Sequence, residues 1–222
     1  MKNEPQAVEL GDWVLKVHEP EGPGPHPVII MNHGWTGNED VMWIFGARLP
    51  KETLLIAPRA PYVSNHSDYG GYSWVDDPTG NWSSLDDFRP AVAALDQLLD
   101  DLAGQYNGDF SQVGLVGFSQ GAALSYAYAL LHPDRVSKLA GLAGFLPERC
   151  EAEVAKRPLV GKPILLAHGR KDETVPLEMA EIAAEMMKKA GGDMRLCVDD
   201  VGHKLGSSCF RELKAFFSNA SI

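Results

Sequence analysis

Three side chains able to perform acyl transfer together, Ser119, Asp172 and His203, lie far apart in the sequence. Ser119 is the centre of Gly117-Phe118-Ser119-Gln120-Gly121, a G-x-S-x-G pattern. A serine hydroxyl is a weak nucleophile unless a base takes its proton. The flanking sequence supplies a place for such chemistry. Val113–Val116 reads as a strand and the Ala-rich segment from Gln120 as a helix, so the serine falls on the turn between them. Small residues two places either side let that turn close tightly. The turn projects the hydroxyl out of the sheet and aims the next helix N-terminus at developing negative charge. The competing reading is a Gly-rich turn with a capping serine.

His203, in Gly202-His203-Lys204, follows the strand predicted over Leu196–Asp199. Open α/β sheets place their sites at such C-terminal strand ends, and an imidazole shuttles protons near neutral pH. Six other histidines compete. His18 and His26 flank an early Pro/Gly turn, His66 lies in a long loop, and His132 sits at a helix end. His33 and His168 end strands and suit supporting roles. Asp172 follows the strand Ile164–His168, and a buried carboxylate there would fix the histidine tautomer. It is one of thirty acids, and Glu173, Asp199 and Asp200 are rivals for the role. The chain order Ser, Asp, His, each after a successive strand, favours Asp172.

His33-Gly34-Trp35-Thr36-Gly37 follows an early strand. In this arrangement backbone N–H groups of Trp35 and Gln120 would hold an oxyanion; the alternative is an ordinary turn capping the next helix. Pro58 to Ser83 reads as a long connection carrying Tyr62, Tyr69, Tyr72, Trp74 and Trp82. Aromatic content argues against disorder. Either the rings, Tyr72 and Trp74 first, form part of an acyl pocket, or they only staple the loop down.

These residues need a scaffold, and the pattern describes one. Strands are predicted at Trp13–Val17, Val28–Asn32, Leu54–Ala57, Val113–Gly117, Lys138–Ala143, Ile164–His168 and Leu196–Asp199. Most are continuous apolar runs, which suits strands buried on both faces of a parallel sheet. Helices are predicted near Asn38, where Thr36 and Glu39 have capping-box spacing, after Ser84, over Gln120–Leu131, from about Pro176, and from about Ser207 to Phe217. The alternation implies a three-layer α/β fold, and all of residues 1–222 are expected in one domain.

The composition excludes several classes. Hydrophobic residues make up 45% of the 222 and charged residues 23%, as in an ordinary globular chain. A net charge of -10 offers no footprint for nucleic acid or anionic membrane. No apolar run approaches the roughly 18 residues that span a bilayer. The polar start of the chain shows no signal peptide, and three cysteines cannot all pair, so the cytoplasm is the expected setting. No dinucleotide fingerprint or metal-ligand spacing stands out, so no cofactor and no metal are expected.

Asn32-His33-Gly34, Gly70-Gly71-Tyr72-Ser73-Trp74, Gly117-Phe118-Ser119-Gln120-Gly121, Asp172 with Val175-Pro176, and Gly202-His203 together resemble the phospholipase/carboxylesterase family of α/β-hydrolases, which includes the acyl-protein thioesterases. The resemblance implies an α/β-hydrolase fold, mostly parallel with helices on both faces, compact and without a large lid domain. It implies a carboxylesterase acting through an acyl-enzyme, with Ser119, Asp172 and His203 as triad and Trp35 and Gln120 at the oxyanion hole. Lysophospholipase or acyl-protein thioesterase activity is the alternative, and a non-catalytic ligand-binding module is the alternative of another class. The expected partner is a small-molecule ester or thioester, with the chain a monomer or homodimer. One departure stands out: Trp35 and Thr36 replace an aliphatic residue and a glycine. The indole bulk leads us to expect short to medium acyl chains.

Overall fold

The computed structural model describes residues 4–64, 70–76 and 82–218. Its strands are β1 (Gln6–Leu10), β2 (Trp13–His18), β3 (His26–Asn32), β4 (Leu54–Pro58), β5 (Tyr62–Val63), β6 (Tyr72–Ser73), β7 (Gly108–Phe118), β8 (Val136–Leu142), β9 (Pro163–Gly169) and β10 (Asp193–Asp199). Its helices are α1 (Trp43–Gly46), α2 (Leu85–Ala103), α3 (Gln120–Leu131), α4 (Glu151–Ala155), α5 (Leu177–Lys189) and α6 (Ser207–Ser218). Eight strands form one sheet in the order β1-β2-β4-β3-β7-β8-β9-β10. Pairing is parallel from β4 to β10, and β2 joins β4 antiparallel, as β1 joins β2.

The apolar runs are continuous because successive side chains enter different cores. On β3, Val28 and Ile30 face the core beneath α2 and α3, while Ile29 and Met31 face the core beneath α1 and α6. On β9, Ile164 and Leu166 alternate in the same way with Leu165 and Ala167. The α3 helix is apolar nearly all round because it is buried from Gln120 to Leu130.

Two expectations change. The helix predicted near Asn38 is a series of turns ending in the single-turn α1. The Thr36–Glu39 capping box does not form, because Glu39 accepts two hydrogen bonds from Arg59 and the Thr36 N–H donates to the Tyr72 carbonyl. Pro176 stands at the cap of α5 rather than inside its first turn. Tyr69, predicted within the aromatic connection, lies outside the described residues.

Ser84 does cap α2 reciprocally. Its hydroxyl accepts from the Asp87 N–H at 3.4 Å, and the Asp87 carboxylate accepts from the Ser84 N–H at 2.7 Å. We expect Ser84→Ala to lose about 1 kcal/mol in urea unfolding; unchanged stability would contradict this role of the cap.

Candidate active site

Ser119 sits between the end of β7 and the start of α3 with φ 53° and ψ -119°. A left-handed φ is costly for a residue with a Cβ and persists only where the surroundings impose it. Here the Ser119 N–H donates to the Leu142 carbonyl of β8, and the Ser119 carbonyl accepts from the Ala122 N–H. The flanking glycines permit the closure. A Cβ on Gly117 would overlap the Gly121 backbone, and a Cβ on Gly121 would overlap the carbonyls of Asn32 and His33.

The structure brings the three distant residues together. His203 Nε2 lies 3.1 Å from Ser119 Oγ, and His203 Nδ1 lies 2.7 Å from Asp172 Oδ2. An ionised carboxylate only accepts, so Nδ1–H donates to Asp172, leaving Nε2 to accept from the serine hydroxyl. The Asp172 side chain is fully buried, and its other oxygen accepts from the N–H groups of Thr174 and Val175 at 2.9 Å. His168 Nε2 donates to the Val175 carbonyl at 2.8 Å, bracing the same turn. The rival acids have other partners: Asp199 accepts from the Cys209 N–H, and Asp200 pairs with Lys171 at the surface.

The loop carrying His203 is fastened at both ends. A disulfide joins Cys197 of β10 to Cys209 of α6. The N–H groups of Arg170 and Lys171 donate to the carbonyls of Asp199 and Val201, tying this loop to the one that carries Asp172. The cysteine count is therefore no guide to a reducing compartment, since two of the three cysteines are bonded and only Cys150 is free.

The Gly34–Gly37 loop lies against the serine. A Cβ on Gly34 would stand 3.2 Å from Ser119 Cβ. The N–H groups of Thr36 and Gly37 are bonded to the carbonyls of Tyr72 and Gly34, which removes them as oxyanion donors. Buried groups hold the loop from below. His33 Nε2 accepts from the Ala60 N–H at 3.0 Å, and Nδ1–H donates to the Gly34 carbonyl at 2.7 Å. Trp74 Nε1 donates to the His33 carbonyl. The Gln120 side chain accepts from the Trp74 N–H and donates to Ser73 Oγ, linking this support to the elbow. Arg59 grips Glu39 with two hydrogen bonds, holding its carboxyl below the usual range, and lies over the Tyr72 ring at 4.7 Å.

An apolar groove of about 460 Å³ opens near the elbow, lined by Trp35, Phe45, Phe118, Lys204, Leu205 and Phe210 among others. Tyr72 and Trp74, expected in a substrate pocket, do not line this groove. Trp74 is fully buried beneath the loop, and Tyr72 hydrogen-bonds its backbone to Thr36 and Gly37. The signal missed in the sequence is Gly71, where a Cβ would overlap the Thr36 backbone. Its positive φ and close approach mark this segment as a brace for the Gly34–Gly37 loop.

Burial lowers the pKa of His33 from 6.5 to about 4, with the hydrogen bond to Gly34 opposing the shift. The folded state therefore holds His33 neutral where the unfolded chain would protonate it. This stability is fully present above pH 6.5 and is lost as pH falls toward 4, up to about 3 kcal/mol. Thermal unfolding between pH 7 and pH 4.5 should show a steeper decline in wild type than in His33→Gln. Parallel curves would contradict the assignment.

The comparisons agree with this architecture. The profile of the phospholipase/carboxylesterase family matches residues 14–221. A probable carboxylesterase SOBER1-like protein of Arabidopsis thaliana is 30% identical over 167 residues, covering 69% of this chain and 62% of that protein, less than two thirds of its length. Acyl-protein thioesterase 1 of Debaryomyces hansenii is 26% identical, covering 73% of this chain and 77% of its own. The crystal structure of esterase PE8 superimposes with a TM-score of 0.77 at 26% identity, covering 91% of this chain and 96% of that one. With a sheet, a serine elbow and a profile match that spans nearly its whole length, the chain belongs to the phospholipase/carboxylesterase family of α/β-hydrolases, a family of serine ester hydrolases.

Proposed function

We propose that this chain is a carboxylesterase in which Ser119 is the nucleophile, His203 the general base and acid, and Asp172 the residue that orients the imidazole. The observation that carries the reading is the continuous relay from buried Asp172 through His203 to Ser119 Oγ, at 2.7 Å and 3.1 Å. Ser119 Oγ attacks the ester carbonyl as its proton passes to His203 Nε2. The carbonyl oxygen becomes an oxyanion, held by the backbone N–H groups of Trp35 and Gln120. Collapse breaks the bond to the alcohol oxygen, which takes the proton from His203. Water then attacks the acyl-enzyme by the same route and releases the acid. The imidazolium formed in both steps is stabilised by the fixed carboxylate.

The proposed substrate is a small-molecule ester of short to medium acyl chain. A thioesterase reading is the second one, favoured by the similarity to acyl-protein thioesterase 1. Residues 1–222 are proposed to act as one domain, as a monomer or homodimer. No helix among the described residues is long and apolar enough to cross a membrane. The proposed setting is the cytoplasm, on the similarity to acyl-protein thioesterase 1.

Hydrolysis of p-nitrophenyl butyrate should be measurable in wild type and fall about 10⁴-fold or more in Ser119→Ala. Retained activity in Ser119→Ala would overturn the mechanism. Asp172→Asn should lower kcat by about 10⁴ through the wrong histidine tautomer; a variant within a few-fold of wild type would move the orienting role to another acid. Across p-nitrophenyl acetate, butyrate and decanoate, turnover should be slowest on decanoate. Fastest turnover there would reject the acyl preference.

A further inference from the structure

The apolar groove has a fixed position relative to the proton relay, and that position tells which half of an ester it can hold. A tetrahedral intermediate on Ser119 carries an acyl substituent and a departing oxygen. Only the departing oxygen must come within hydrogen-bond reach of His203 Nε2, because it leaves with that proton. The groove approaches His203 through Phe118, which it shares with the imidazole, and through Lys204 and Leu205, which follow His203 in the chain. Phe118 packs its ring against the imidazole at 5.0 Å between centroids, and Phe45 stacks on Phe118 at 5.7 Å. Leu205, two residues beyond His203, and Phe210 of α6 form the far wall, and Phe45 and Phe210 stack at 5.8 Å. A chain attached to the departing oxygen therefore runs into the groove, whereas an acyl chain starts on the side away from the imidazole.

The lining states the chemistry of that chain. Phe45 and Leu205 are buried at its base, and Trp35, Val41 and Ile44 at its mouth are 46%, 49% and 62% exposed. Three large apolar side chains left to solvent around one opening form a patch that binding would cover. Lys204 lines one edge, where its stem adds apolar surface while its charge stays in water. The volume, about 460 Å³, is within the ordinary range for a small-molecule site.

We infer that this groove is the leaving-group site, and that the preferred substrates are esters of apolar alcohols of about six carbons or more. The inference rests on the serine esterase reading above and deepens it. Each methylene buried in the groove should raise kcat/KM by up to about fourfold, and the gain should follow the alcohol, not the acid.

Hexyl acetate and ethyl hexanoate test this directly, since they are isomers that differ only in which side of the ester carries the chain. Proton release gives kcat/KM for each. We expect wild type to favour hexyl acetate by at least about tenfold, and Ile44→Asp, at an exposed position, to reduce that ratio by a similar factor. Preference for ethyl hexanoate, or a hexyl acetate preference that survives Ile44→Asp, overturns the assignment while leaving the esterase reading intact. Hydrolysis of neither ester by folded wild type, with Ser119→Ala indistinguishable from it, overturns the esterase reading and this inference with it.

Discussion

The closure of the backbone around Ser119 is the constraint on which the site depends. The serine is held at φ 53° between a strand and a helix, and α3 approaches β3 so closely that only a glycine fits at position 121. That approach is possible because α3 is small and apolar on every side, so that it fills the space between β3, β7 and β8 rather than covering one face. Further contacts fix the helix in place: Ser125 donates to the Gly121 carbonyl and accepts from Asn32. Strain at one residue is thereby distributed over packing that the whole sheet supplies.

A second layer of buried polar contacts keeps the neighbouring loops in register with that elbow. Gln120 contributes twice: its position places its backbone N–H beside Ser119, and its side chain bonds Ser73 and Trp74. Trp74 and His33 then hold the Gly34–Gly37 loop from below. On the other side, His168 braces the Asp172 turn, while a disulfide and two backbone bonds restrain the His203 loop. Each loop is short of regular structure, and each is fixed by groups whose polar atoms would be costly to bury unpaired.

The sheet was legible in the sequence because strands buried on both faces leave continuous apolar runs, and all seven predicted strands run longer in the structure. The first strand was not legible. Gln6–Leu10 is largely exposed and exists through pairing with β2, from Gln6 opposite Val17 to Leu10 opposite Trp13. Ser119, His203 and Asp172 could be nominated from motif and chain order, but the choice among acids needed distances, because Asp199 and Asp200 are nearer to His203 in sequence. The groove was invisible for a similar reason: Trp35, Ile44, Phe118, Leu205 and Phe210 converge from four separate segments. Tyr72 and Trp74 read equally as pocket lining or as staples, because aromatic content does not reveal which way a ring points.

In the proposed mechanism Ser119 alone is raised to a nucleophile by its relay to His203 and Asp172. The most direct test is covalent labelling with a fluorophosphonate probe, followed by peptide mass spectrometry on wild type and His203→Ala. Wild type should give a single adduct, on the peptide carrying Ser119, with labelling slowed by orders of magnitude in His203→Ala. An adduct on a different residue, or equal labelling of Ser119 without the imidazole, would contradict it.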